Sequence, residues 1–414
     1  MARLVPLQAS STLVNVAEHA EVHLVHLLAE SAPSNLLSQS FTTDCENCIA
    51  NADAPGLLRT VLGDGGALTS LFAIDPIEES VSAFSLLASL LDRVTGMEAA
   101  KLATEISDII GNDNRFDPCK RIAMLAALYN LRADGTEKCR LLAKIVRLCA
   151  ASAPHMLNEG QPLGDMIEPE ALEKQVDFWD VSVEERRILY RAVVDGIGSV
   201  AEGAKRRQRL LILLVGTYTD SATLDAAALT ASKEAAVGAI RDPVTLFDDQ
   251  RGMSGMPAVA ALGDSTATKP LLALLEIFAE GKLEDFTGFL SSNGNIIDAY
   301  GLSKEDCIRH MRLLSLCSLA AEHEEIPYSA IASTLQVDAT EVEGWVITAV
   351  SSGLLSAKMD QLQQVVMVER CVVRKFNIEQ WKALQTKLNA WKKNVRGVLE
   401  GLKQSQVLTE GNVP

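Results

Sequence analysis

The sequence predicts an all-α chain: a solenoid of helical repeats, then a winged helix with a small β-wing, then one long C-terminal helix. Three observations carry that expectation. The chain is 48% hydrophobic but only 5% aromatic, so its apolar content rests on Leu, Ala, Val and Ile, the residues of helix-on-helix packing. Apolar residues recur at helical spacing from Leu13 to Val350, and the convincing strand pattern lies between Leu355 and Val368. The last segment carries a strict 3,4 apolar repeat that includes two tryptophans.

At 414 residues the chain exceeds what one hydrophobic core organises, so two or three cooperative units or one extended solenoid are expected. The first helix is read from Thr12 to Leu28 on Leu13, Val14, Ala17, Leu24, Leu27 and Leu28, followed by helical segments near 66–75, 80–93, 98–110 and 119–131. Another runs over 136–150 on Leu141, Leu142, Ile145, Val146 and Cys149, and Pro154 to Pro169 reads as a break. Ser182 with Glu185 forms a capping box that opens a helix to about Asp195. Helices near 200–216 and 222–237 precede an irregular Gly, Ser, Met and Pro connection from Asp248 to Pro270. No fixed repeat length emerges; paired helices with short turns suit a solenoid whose repeats have diverged.

Beyond that connection, Leu271 to Ala279 forms an apolar helix, Gly281 turns the chain, and Leu283, Phe286, Phe289 and Leu290 give the next helix its buried stripe. A helix from Ser303 carries Ile308, Met311, Leu314 and Cys317. A short one with Ile331, Ala332 and Leu335 follows, and a third with Val342, Trp345, Val346 and Val350 stops at Gly353. Leu355, Ala357 and Met359 alternate with polar residues and Val365–Val368 follows, a two-stranded wing. The closing helix starts at Asn377 as N-cap and places Trp381, Leu384, Leu388, Trp391, Val395, Val398 and Leu402 on one seam. Burying that seam at about 1.5–3 kcal/mol per side chain would gain more than ~10 kcal/mol, while a lone helix of this length is marginal in water, so the stripe demands a partner.

Charge narrows the function. A net charge of −16 and a pI near 4.9 oppose general attraction to a polyanion, so any nucleic-acid contact must be local. Residues 1–92 hold Arg3 and Arg59 against eleven acidic side chains, whereas residues 358–403 hold ten Lys or Arg against four Asp or Glu, so the two ends should meet different partners. The longest apolar run, Leu210 to Val215, is far short of a membrane span, and Glu18, His19 and Glu21 interrupt any signal-peptide core, which predicts a soluble intracellular protein. Eight dispersed cysteines, among them Cys139, Cys149, Cys307, Cys317 and Cys371 in apolar patterns, read as buried thiols and not as a disulfide framework.

The residues carry a resemblance. The run Lys358-Met-Asp-Gln-Leu-Gln-Gln-Val-Val-Met-Val-Glu-Arg-Cys371, then Phe376 and Gln380-Trp-Lys-Ala-Leu to Trp391, resembles the wing and tail of PCI proteins of the M-subunit kind of translation initiation factor three. Asp306 to Leu316, Ile326-Pro-Tyr-Ser329 and Arg241-Asp-Pro-Val-Thr-Leu-Phe247 extend the likeness over roughly residues 115–403. It implies PCI architecture: helical repeats over 1–195, the helical part of the PCI domain over 196–300, its winged helix over 301–376, a bundling helix over 377–403 and a disordered tail over 404–414. It also implies a non-catalytic cytoplasmic scaffold subunit that supports pre-initiation complex assembly on the small ribosomal subunit and mRNA recruitment. The partners implied are other PCI and MPN subunits and, through the complex, the small ribosomal subunit. The seam from Trp381 to Leu402 would be the bundling surface.

Other chemistries find weaker support in the residues. Cys45-Glu-Asn-Cys48 with His19, His23 and His26 upstream has half the spacing of a zinc site, but no second CxxC supports it, and a solvated or capping role for the histidines is preferred. No Walker loop, dinucleotide fingerprint, HExxH or G-x-S-x-G elbow occurs, so neither an enzyme nor a cofactor is expected. Lys358, Arg370, Arg374 and Lys375 form a candidate contact for RNA or an acidic partner. The third helix has Asp338, Glu341 and Glu343 at its start and no Lys or Arg, so protein pairing is preferred to nucleic-acid reading. The alternatives kept are a PCI subunit of the COP9 signalosome or proteasome lid, and a winged-helix nucleic-acid regulator.

Overall fold

The computed structural model describes residues 20–32, 40–63, 67–152, 167–197, 201–220, 224–242, 253–374 and 378–410. The expected helix start at Thr12, His19, residues 248–252 of the expected 248–270 connection, Lys375 and Asn377 lie outside them. The chain divides into two compact units, residues 1–235 with 256–261, and residues 236–255 with 262–414.

The first unit is helical throughout its described residues. It contains α1 (Ala20–Ser31), α2 (Phe41–Ala50), α3 (Ala54–Gly63), α4 (Ala67–Ser70), α5 (Ile77–Ser89), α6 (Met97–Asn112), α7 (Pro118–Leu131), α8 (Gly135–Ser152), α9 (Pro169–Trp179), α10 (Val183–Ile197) and α11 (Ala201–Gly216). One continuous core runs from α1 to α8 through Leu28, Leu58, Phe84, Leu87, Ile106, Leu125 and Leu128, all fully buried. α10 packs against α8 and α11, so the boundary expected at residue 195 falls inside a packed helix pair; the division lies instead within α12 (Ala226–Arg241). The short α13 (Pro257–Ala260) belongs to this unit too.

Two basic side chains are spent on its interior. Lys120 donates to the carbonyls of Phe72 (3.0 Å) and Ile74 (2.7 Å) and to Asp75 Oδ1 (2.6 Å). Arg121 donates from Nε to the Ile110 carbonyl at 2.9 Å and from Nη2 to that of Gly111. Each satisfies acceptors at the C-terminal end of a helix, where the ladder leaves carbonyls unpaired.

The second unit opens on α14 (Lys269–Glu280) and α15 (Leu283–Ser292), folded over the Gly281 turn with Phe278 and Phe286 edge to face at 5.6 Å. Lys282 N–H donates to Asp285 Oδ2 at 2.8 Å, which caps α15. After α16 (Ile296–Ala299), α17 (Lys304–Glu322) starts at Ser303, whose Oγ accepts from Asp306 N–H at 3.3 Å. β1 (Glu325–Pro327), α18 (Tyr328–Leu335), α19 (Val342–Ser351), β2 (Leu355–Asp360) and β3 (Val365–Cys371) complete the winged helix, and α20 (Ile378–Glu410) closes the chain.

α19 ends in a Schellman motif. Gly353 takes φ +76°, its N–H donates to the Val350 carbonyl, and Leu354 N–H donates to that of Ala349. That turn delivers Leu354 and Leu355 into a core shared with Leu316, Cys317, Ile326, Ile331, Leu335, Val342, Val346 and Val366. The sheet order is β1-β3-β2, all antiparallel, with Ile326 opposite Val366 and Leu355 opposite Cys371.

Several expectations change. The wing is three-stranded, because Glu325-Ile-Pro pairs with β3; one inward residue and a Pro at the sheet edge leave no alternating pattern to read. The helices α2, α3 and α9 were not expected. Pro stands in the first turn of α3 and of α9, where its missing N–H costs nothing, and Asp53 Oδ1 caps α3 by accepting from Gly56 N–H at 3.0 Å. The closing helix continues to Glu410, so residues 404–410 are helical and not the expected disordered tail. The Ser182 cap is half formed: Ser182 Oγ accepts from Glu185 N–H at 3.3 Å, while the Glu185 carboxylate takes Arg140.

Candidate protein-interaction surface

The closing helix holds the candidate site. A helix of this length spans about 50 Å at ~1.5 Å per residue. The predicted stripe of Trp381, Leu384, Leu388, Trp391, Val395, Val398 and Leu402 lies open: Trp381 is 61% exposed, Leu388 54% and Trp391 68%. The seam also extends past the predicted set. Ile378, three residues before Trp381, is 71% exposed, and Leu399 is exposed beside Val398. The i−3 spacing of Ile378 is a signal the sequence already carried. Lys382, Lys387, Lys392, Lys393 and Arg396 are exposed on the same helix, so the apolar seam is accompanied by a basic surface.

The winged helix faces outward differently. α19 holds Glu343 and no Lys or Arg, and the Glu343 carboxylate accepts from Tyr328 Oη at 3.3 Å and from Gln361 Nε2 at 3.1 Å. A phosphate approaching this helix meets carboxylates, the wrong sign for neutralisation. Arg312 lies 5.4 Å over the Trp345 ring, and Ile347 and Val350 are exposed. At the wing tip Leu362 is 98% exposed.

The four predicted cations separate. Lys358 and Glu369 form a 2.6 Å ion pair on the wing; each holds the other's charge, raising the lysine pKa and lowering the carboxyl pKa. Arg370 is exposed on β3, and Lys375 lies outside the described residues. Arg374 departs from the expected outward contact. Its guanidinium turns inward, donating from Nη1 to the Gly281 carbonyl (2.7 Å) and Ser318 Oγ (3.2 Å), and from Nη2 to the carbonyls of Phe278 (2.6 Å) and Ile277 (3.2 Å). Burial pushes its pKa down to about 10, so it stays protonated at neutral pH, but it faces no partner surface. The sequence showed its charge and not its direction.

The other chemical candidates are interior. Cys45 is buried in the α2 face against the first unit's core and Cys48 is half-buried, with no cluster of metal-ligating side chains among the described residues. Burial pushes the thiols of Cys139 and Cys317 up to about 12 and those of Cys149 and Cys307 up to about 11, so all four behave as small apolar side chains. Cys371 is half-buried and not fully enclosed. No helix among the described residues is long and apolar enough to cross a membrane.

Comparison with known families meets this geometry at two places. Residues 290–370 match the PCI domain family, and residues 374–402 match the family described as eIF3 subunit M, C-terminal helix. The chain is similar to PCI proteins on the branch of eukaryotic translation initiation factor 3 subunit M. Curated relatives of that description agree. The protein from Dictyostelium discoideum is 34% identical over 248 residues, which are 57% of this chain and 59% of the relative. That from Nematostella vectensis is 31% identical over 57% of this chain and 60% of the relative. That from Phaeosphaeria nodorum is 28% identical over 78% of this chain and 72% of the relative. The chain thus spans less than two thirds of the first two relatives. The subunit M match covers the exposed stripe, so it favours this branch over a signalosome or proteasome-lid subunit.

Proposed function

We propose that the chain is a non-catalytic, cytoplasmic scaffold subunit of translation initiation factor 3, supporting pre-initiation complex assembly on the small ribosomal subunit and recruitment of mRNA. The observation that carries this reading is the solvent-facing seam of the closing helix, in the segment that matches the subunit M family. An apolar stripe in water is costly, and burial against helices of like pattern recovers about 1.5–3 kcal/mol per side chain. The partners are the helices of other PCI and MPN subunits, with acidic flanks that suit the basic surface beside the seam. The ribosome is reached through the complex, and α19, acidic at its start, makes a protein-pairing face. Truncation after Phe376 tests the reading: the PCI core is expected to stay folded, with initiation-factor subunits lost from an affinity purification read by mass spectrometry. Recovery of those subunits with the truncated chain at wild-type yield would remove the docking role.

A further inference from the structure

The exit from the winged helix is tied by one backbone hydrogen bond and one inward-turned side chain. Val372 N–H donates to the Leu354 carbonyl at 3.0 Å, the last backbone tie of the wing, and two residues later the Arg374 side chain enters the protein. Its four hydrogen bonds reach three places in the second unit: the last turn of α14, the Gly281 turn into α15, and Ser318 on α17. The Ile277 carbonyl already accepts from Gly281 N–H at 2.8 Å and takes the guanidinium beside it, while the Phe278 carbonyl lies in the last turn, where the ladder runs out; a planar guanidinium matches several such acceptors at once, as an ammonium does not. Gly281 keeps that turn close, since a Cβ there would stand 2.9 Å from the Ile277 carbonyl oxygen, itself one of the acceptors. The closing helix begins four residues after Arg374; burial raises the pKa of the Cys371 thiol at the end of β3, with the Lys387 charge on that helix opposing the rise.

We infer that Arg374 is a positioning residue: buried against the α14–α15 turn, it fixes where the closing helix leaves the winged helix and so the register in which the stripe meets partner helices. The inference rests on the docking reading above. A residue that only stabilised the core would change the unfolding temperature and leave the helix's placement alone. An anchor of the exit changes the placement as well.

The test uses the full chain with spin labels, carried by non-natural amino acids, at Gln361 on the wing and Asn394 on the closing helix. The wild-type chain is expected to give one narrow distance distribution. Arg374→Met should broaden it and cut the yield of co-purified initiation-factor subunits at least tenfold, while Arg374→Lys, which keeps the charge but not the fork, should recover part of both. A narrow, unshifted distribution in a folded Arg374→Met chain overturns the inference, as does a broadened one with wild-type subunit yield. If Arg374→Met does not fold, Arg374→Lys decides: an unshifted distribution with wild-type yield again overturns it. The double variant Leu388→Asp/Trp391→Asp separates the two readings. Wild-type yield from that chain sinks docking itself, whereas loss of yield there with wild-type behaviour at Arg374 sinks only the positioning role.

Discussion

Two helices of the second unit carry the same arithmetic and opposite fates. In α17, Cys307, Met311, Leu314 and Cys317 recur at 3,4 spacing and are all buried against neighbouring elements. In α20 the stripe from Trp381 to Leu402 recurs at the same spacing and lies open to solvent. Periodicity reports that a helix has an apolar face; what covers that face is decided by elements far away in the sequence, or in another chain. The first pattern builds the domain. The second presents a surface.

That contrast can be broken by substitution, beginning with the largest effect. Phe286→Ala, which empties a fully buried site against Phe278, is expected to cost about 3–5 kcal/mol of the second unit's stability in denaturant unfolding. Leu388→Ala, on the exposed face, is expected to leave stability within about 0.5 kcal/mol while lowering recovery of initiation-factor subunits severalfold. A large stability loss from Leu388→Ala in the isolated chain would mean that the stripe is buried intramolecularly, and the contrast would collapse.

Smaller effects sharpen the picture of the winged helix. Gly353→Ala places a side chain at φ +76°, where the surroundings are open but the backbone is not, and should cost about 1 kcal/mol. Ser352→Ala one residue earlier, at an ordinary right-handed conformation, should cost less, and equal losses would contradict the Schellman assignment.

His310 gives the smallest effect and a sign. Burial lowers its pKa despite Asp306 and Asp242 nearby, with Arg309 adding to the shift, so the folded unit takes up its proton later than the unfolded chain. Stability should therefore fall as pH drops through the ordinary histidine range near ~6.5, because the unfolded state then binds more protons. His310→Gln should make the melting temperature less sensitive between pH 7.5 and pH 5.5 than it is in the wild-type chain. Parallel curves would show that carboxylates alone set the acid response.

What was legible in the sequence follows the same division. The helix of Met311, the Gly353 stop, the paired strands and the seam of Trp391 were all read from local pattern, because each depends on residues within one or two turns of one another. The three-residue strand at Ile326 was not, since its evidence is the β3 partner some 40 positions on. The Pro55 and Pro169 helices were hidden because proline punctuates a chain equally at a break and at a first turn. Within the candidate site, the residues of the predicted stripe lie exposed, and so does Ile378 beyond them. The cations were sorted poorly. Lys358 is neutralised by Glu369 and Arg374 points inward, and sequence cannot show where a long, charged side chain ends.

The open stripe has a cellular consequence. A newly made copy that has not yet found its neighbours displays two tryptophans and a run of aliphatic side chains, the kind of surface that chaperones and proteases survey. Its lifetime is then expected to track the supply of neighbouring subunits, so that depleting them shortens its half-life in a pulse–chase measurement. Removing the last 38 residues should protect the remainder, the outcome expected of a helix that serves both as the address for assembly and as the mark by which surplus copies are cleared.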